Sequence, residues 1–183
     1  MRSVSGAFAA KVLTVSDGVV AGTREDVSGV ALADAVRNAG GDVVETRVCS
    51  DGASTVAAVL CEMSEGFSGV IVTTGGTGFA PRDETPEGTE QVIERRAPGL
   101  AEAMRAVNPL GRLSRGTAGI RGQCIIVNTP GSPKGCVEQF LAVADVLAHA
   151  VALLAQTPTE RSEEHTSELQ SHSDLVCRLL LEK

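Results

Sequence analysis

Val70-Ile71-Val72-Thr73 places four β-branched residues in a row, and the chain then runs through Thr74-Gly75-Gly76-Thr77-Gly78 towards Asp83. β-Branched side chains sit well on a pleated, extended backbone, so the first segment predicts a buried strand. The glycines remove side chains where the chain must turn sharply and where something can approach its backbone. A strand that feeds such a turn gathers backbone N–H groups in one place, an arrangement that suits phosphate oxygens. Thr74 and Thr77 add hydroxyls, and Asp83 at the mouth is the kind of hard oxygen ligand that a phosphate-borne magnesium ion takes. The spacing is neither GxxxxGK[ST] nor GxGxxG, so on pattern alone a plain strand-to-loop turn stays open beside the phosphate cradle.

Strands and helices alternate around this segment. Ala9 to Ser16 predicts a first strand ending in Ser16-Asp17-Gly18, and Ser28 or Asp26 predicts the cap of a helix with Val30, Leu32, Ala33 and Val36 on one face. Val43 to Val48 predicts the second strand, turned by Ser50-Asp51-Gly52, after which Ser54 caps a helix carrying Val56, Val59, Leu60 and Met63. After the glycine turn, Thr85 caps a helix from about Pro86 to Arg95, followed by a short one over Leu100 to Val107. Arg115 to Gly122 reads as an edge strand or loop, and Gln123 to Asn128 as a buried strand leading into Thr129-Pro130-Gly131-Ser132-Pro133-Lys134. One long helix is expected from Gly135 to Leu154 on its apolar stripe. Such alternation implies a mostly parallel sheet covered on both faces, with the loops at Ser16-Asp17, Ser50-Asp51, Thr73 to Asp83 and Thr129 to Lys134 sharing the rim where ligands bind.

The 183 residues suit one domain, placed at residues 9–156, with a core that must be aliphatic because the chain has four Phe and neither Tyr nor Trp. A net charge of −7 disfavours nucleic-acid and anionic-membrane surfaces. No apolar run reaches the length of a membrane span, and the first residues lead into a strand with no signal peptide, so a cytoplasmic setting is expected. The five Cys show no C-x-x-C spacing and are expected to be reduced thiols, with no zinc site. Residues 157–183 differ in composition. Arg161 to Ser171 resembles a translated sequencing adapter, the alternative being a natural tail with a short helix over Leu175 to Leu181. His165, His172 and Cys177 are therefore left out of the site.

Three segments together, Thr73 to Pro86, Pro98 to Arg105 and Asn128 to Lys134, resemble the molybdopterin-binding domain family, with the match running in the family's order from about Lys11 to Leu154. Within that family the chain resembles the stand-alone molybdopterin adenylyltransferases, related to the G domain of gephyrin. The resemblance implies a three-layer α/β/α sandwich, a homotrimer, and adenylylation of molybdopterin by Mg-ATP with release of pyrophosphate during molybdenum cofactor biosynthesis. A molybdenum insertase is then an implied partner. Asp83 matches the family's acidic position after the glycine loop and would hold Mg²⁺. Asp51 matches a second acid, although Cys49-Ser50 before it and Gly52 after it depart from the family pattern. By the same resemblance Gly75, Gly76, Thr77 and Gly78 would cradle phosphates, with Thr74 beside them. Ser16 and Asp17 would border the nucleotide or pterin. Gly131 and Ser132 would lie beside the pterin phosphate, with Lys134 as counter-charge and Glu102 as a further binding residue.

Plainer roles stand beside these: Asp17 and Asp51 as turn residues, Ser132 as a helix cap, Glu102 paired with Arg105, Lys134 solvated, and His149 a polar residue of the last helix. A non-enzymatic molybdopterin-binding paralogue, serving as an assembly or carrier module, is the competing function.

Overall fold

β3 (Gly69–Thr74) is buried at every residue. A strand covered on both faces has no polar side to show, which is why its sequence is a continuous β-branched run rather than an alternation. β1 (Phe8–Val15) pairs with it in parallel on one side and β6 (Cys124–Thr129) on the other, placing Val72 opposite both Val12 and Val127. β2 (Gly41–Cys49) runs parallel to β1 at one edge. β5 (Ala118–Arg121) is antiparallel to β6, and the two-residue β4 (Arg95–Arg96) is antiparallel to β5. The computed structural model describes residues 7–155, and within them the strand order is β2-β1-β3-β6-β5-β4. The segment at 157–183, with its adapter-like stretch, lies outside the described residues.

From β1 the chain steps outward to β2, then returns past β1 to β3. Right-handed crossovers in opposite directions must pass over opposite faces of a sheet. α2 (Val27–Asn38) accordingly covers one face and α3 (Ala53–Ser64) the other. Because side chains alternate along a strand, neighbouring residues feed different cores. Val12, Val70, Val72, Ile125 and Val127 pack with Leu32 and Val36 of α2 and with Met104, Phe140 and Leu147, whereas Leu13, Ile71 and Ile126 pack with Val56, Leu60 and Met63 of α3. The result is the expected α/β/α sandwich with a mostly parallel sheet.

Several element expectations need correction. The apolar stripe expected as one helix is two, α6 (Pro133–Leu141) and α7 (Ala144–Ala155), bent by 59°. α6 packs chiefly on α2, while α7 lies over β1, β3 and β6, so the bend lets two halves of one stripe reach two surfaces. The helix expected to reach Arg95 is only α4 (Thr85–Glu90), because Glu94 and Ala97 donate to the carbonyls of Ile120 and Ala118 and draw the chain into the sheet. β5 is therefore not an edge strand. α5 (Pro98–Ala106) follows, then a 3-10 turn over Pro109–Leu113 capped by the Asn108 side chain. Of the two capping candidates for α2, Asp26 caps it, and Val30 points to solvent. Ser54 does not cap α3: the cap position is Gly52, and the Ala53 N–H donates to the Glu84 carboxylate 3.0 Å away. Nor does Thr85 cap α4, whose cap position is Glu84. Among the described residues Cys49, Cys61, Cys124 and Cys136 are free thiols, and no single helix is long and apolar enough to cross a membrane.

Candidate functional site

Between β1 and β3 the order in which strands are added switches direction, and this opens a crevice at their carboxyl ends, the place where ligands bind in open α/β sheets. Ser16, Asp51, Gly75 to Gly78, Asp83 and Gly131 line one cleft there, about 580 Å3 in volume, with Val19, Arg24, Glu25 and Val27 among the walls. The glycines are sterically required. Gly75 and Gly76 adopt φ of +103° and +62°, a region that disfavours other residues. A Cβ on Gly75 would run into the Val15 carbonyl oxygen, and one on Gly76 into Thr85 Oγ1 while lying 3.3 Å from Asp51 Oδ1. On Gly78 it would lie 2.8 Å from Asp83 Oδ2. The loop is thus pressed between the end of β1 and both acids. The Gly75 N–H donates to the Thr129 carbonyl, so the amides of Gly76, Thr77 and Gly78, which have no acceptor among the described residues, carry the cradle.

The two acids are held differently. Asp51 Oδ2 accepts from the Asp17 N–H at 2.8 Å, and the Asp51 N–H donates back to Asp17 Oδ1 at 3.1 Å. Arg82 then grips Asp17, with Nε 2.7 Å from Oδ2 and Nη2 3.1 Å from Oδ1, and Nη2 also donates to the Asp51 carbonyl at 3.0 Å. The Arg82 guanidinium holds the Asp17 carboxyl below its ordinary range, an effect that outweighs partial desolvation. Asp83 turns back on its own loop, Oδ2 accepting from the Ala80 N–H at 2.9 Å. Arg115 clamps this loop from outside: its N–H donates to the Thr77 carbonyl at 2.9 Å and its Nε to the Gly78 carbonyl at 2.7 Å, while the guanidinium also meets the Asp83 carbonyl and the Glu87 carboxylate.

This donor set fits a nucleotide-borne magnesium ion. Mg²⁺ is typically held by one or two carboxylates plus phosphate and water, and here Asp51 and Asp83 each keep one carboxylate oxygen free of hydrogen bonds among the described residues. No group of three or more His, Cys, Asp or Glu gathers among those residues, as a metal caged wholly by protein side chains would require. Cys49, two residues before Asp51, is a poor nucleophile, since burial, reinforced by the Asp51 charge, pushes its thiol up to about 11.

The remaining expected residues divide. Ser16 borders the cleft while its hydroxyl accepts from the Val19 N–H to cap α1 (Asp17–Val20). Asp17 does not line the cleft and instead supports Asp51 from behind. The Thr74 side chain is fully buried, its hydroxyl donating to the Pro130 carbonyl at 2.9 Å, and is not free for phosphate. Ser132 caps α6 and, with Lys134, lines a neighbouring hollow of about 320 Å3 that shares Thr77 and Pro130 with the main cleft. Lys134 is 85% exposed, 3.6 Å from Glu138, and is not among the residues that line the main cleft. Arg24 is the cation that does. Glu102 sits exposed on α5 and lines neither hollow, and Arg105 donates to the Gly116 carbonyl rather than to Glu102. His149 is exposed on α7. Sequence reasoning missed Arg24, Arg82 and Arg115. The only available signal was that Arg82 directly precedes Asp83 in a loop that also had to meet two other acidic turns.

A family model described as "Probable molybdopterin binding domain" matches residues 11–149. The molybdopterin adenylyltransferase of Helicobacter pylori (strain ATCC 700392 / 26695) is 36% identical over 150 residues, spanning 78% of this chain and 85% of that protein. Gephyrin from Dictyostelium discoideum is 33% identical over 186 residues, spanning 90% of this chain but 26% of the longer protein. Among solved structures, the molybdopterin biosynthesis enzyme MoaB from Thermus thermophilus superposes with a TM-score of 0.76 at 41% identity, covering 82% of this chain and 98% of its own. The matched residues include the glycine loop, both cleft acids and β6, and the chain belongs to the molybdopterin-binding domain family.

Proposed function

We propose that the protein is a nucleotidyltransferase of molybdenum cofactor biosynthesis that adenylylates molybdopterin with Mg-ATP. The reading is carried by one juxtaposition: Gly76, Thr77 and Gly78, whose amides have no acceptor among the described residues, line the same cleft as Asp51 and Asp83. The relatives named as molybdopterin adenylyltransferases support it. An oxygen of molybdopterin's terminal phosphate attacks the α-phosphorus of ATP. The bond from that phosphorus to the bridging oxygen of the β-phosphate breaks, and pyrophosphate leaves with the electron pair. The attacking phosphate is already ionised at neutral pH, so the cleft needs no strong base. Its task is to bring two anions together and to receive charge on the leaving group.

The loop amides and the Arg24 guanidinium meet phosphate oxygens, and Val19 and Val27 give the cleft apolar wall. Asp83 and Asp51 would hold Mg²⁺, which neutralises charge on the phosphates when bound. The adjoining hollow with Ser132 and Lys134 suits the second anionic substrate, since Thr77 and Pro130 line both spaces. Homotrimeric assembly, a cytoplasmic setting and hand-over to a molybdenum insertase complete the reading on the family likeness. Incubation of the protein with molybdopterin, ATP and Mg²⁺ should yield adenylylated molybdopterin and pyrophosphate in equal amounts. Tight molybdopterin binding with no pyrophosphate would overturn the enzyme in favour of the binding module.

A further inference from the structure

Arg82 is exposed, lies outside the cleft, and still touches both Asp17 and Asp51. Its two donors take both oxygens of Asp17, and Nη2 also reaches the Asp51 carbonyl. Asp17 and Asp51 exchange N–H···carboxylate bonds in both directions. The Asp51 N–H, carbonyl and Oδ2 are therefore all committed to this arrangement. Only Oδ1 is left, and it lies beside Gly76 at the cleft wall.

We propose that Arg82 is a positioning residue: acting through Asp17 and the Asp51 backbone, it fixes the Asp51 carboxylate with one oxygen presented to the cleft, and so sets the affinity for a nucleotide-bound divalent cation. This rests on the adenylyl-transfer reading for the identity of the ligand. The side chains of Arg82 and Asp17 are 64% and 47% exposed, and an ion pair so open to water contributes little to folding. What it does contribute is direction. A planar, two-pronged donor locks a carboxylate's orientation in a way that a single ammonium cannot. Groups that orient a metal-binding carboxylate characteristically change metal affinity by about 10- to 100-fold when removed.

The test is Mn²⁺ binding to the full chain, followed by electron paramagnetic resonance in the presence of a non-cleavable α,β-methylene ATP. Arg82→Met should weaken Mn²⁺ affinity at least ~10-fold while leaving Tm within about 3 °C of wild type. Arg82→Lys should recover part of the loss, and Asp17→Asn should reproduce it. Mn²⁺ affinity in Arg82→Met equal to wild type overturns the proposal. So does a wild-type affinity indifferent to Asp51→Asn, since Asp51 would then have no metal to be positioned for. Pyrophosphate release, measured separately, reports on adenylyl transfer itself, so failure of the positioning role and failure of the enzymatic reading give different results.

Discussion

Gly76→Ala probes the cradle at its tightest point, and its cost has two separable parts. The first is conformational: at φ +62° an alanine costs about 1–2 kcal/mol more than glycine. The second is steric: the new methyl would run into Thr85 Oγ1, a fully buried hydroxyl that has no hydrogen-bond partner among the described residues. Overpacking of this kind costs about 1–3 kcal/mol. Together the terms predict a loss of roughly 2–5 kcal/mol, or about 5–20 °C in Tm for a domain of this size. Thr85→Ala removes the obstructing oxygen and leaves Thr85 Cβ at 3.3 Å, a tight but tolerable approach. The double variant should therefore regain roughly 1–3 kcal/mol relative to the sum of the single changes, with the backbone term remaining. Urea unfolding of the four proteins followed by circular dichroism measures this directly. Additive effects within about 0.5 kcal/mol would show that the loop does not rest on Thr85 and would refute the steric argument.

Asp83→Asn keeps an acceptor for the Ala80 N–H, so unfolding should be nearly unchanged while adenylyl transfer falls by roughly two powers of ten, measured as pyrophosphate release; molybdopterin binding should change little. Near-normal turnover at saturating Mg-ATP would remove Asp83 from the metal role. Arg115→Met releases the Gly78 and Asp83 carbonyls together and should cost at least ~10-fold in transfer by letting the Asp83 loop wander, with KM for ATP rising; unchanged kinetics would refute the clamp. The Asp17 carboxyl should titrate below its ordinary 3.8 by carbon-detected NMR, and Arg82→Met should return it towards that value. Because the folded value is the depressed one, the Arg82–Asp17 contribution to stability is complete above 3.8 and is lost as pH falls through the folded midpoint.

The parts of this molecule that were legible in the sequence are those governed by local rules. The Val70 to Thr73 run, the glycine turn and the rim of loops follow from period and turn chemistry, and the structure places them as expected. The bend between α6 and α7 left no such trace: Cys136, Phe140, Val143 and Leu147 are all buried at an unbroken helical spacing, and only the two surfaces beneath them decide that the helix must turn. Thr74 shows the same limit at the site. Its hydroxyl looks available in the sequence and is consumed by a carbonyl from a segment 56 residues away.

The roles of the arginines depend still more on distance along the chain. Arg82 meets Asp17 across 65 residues and Arg115 meets the Gly78 carbonyl across 37, so neither pairing is encoded by spacing. They nevertheless solve a problem that the legible motif creates. A glycine-rich loop gives amides to a ligand and has little side-chain packing to hold itself in place, and the entropy of so permissive a segment works against a fixed geometry. Arg115 ties the loop down at Thr77, Gly78 and Asp83, and Arg82 ties the far acid to the same loop. The glycine loop can then stay free of bulky side chains where it lines the cleft because its rigidity is supplied from outside, by two guanidinium groups that do not line it.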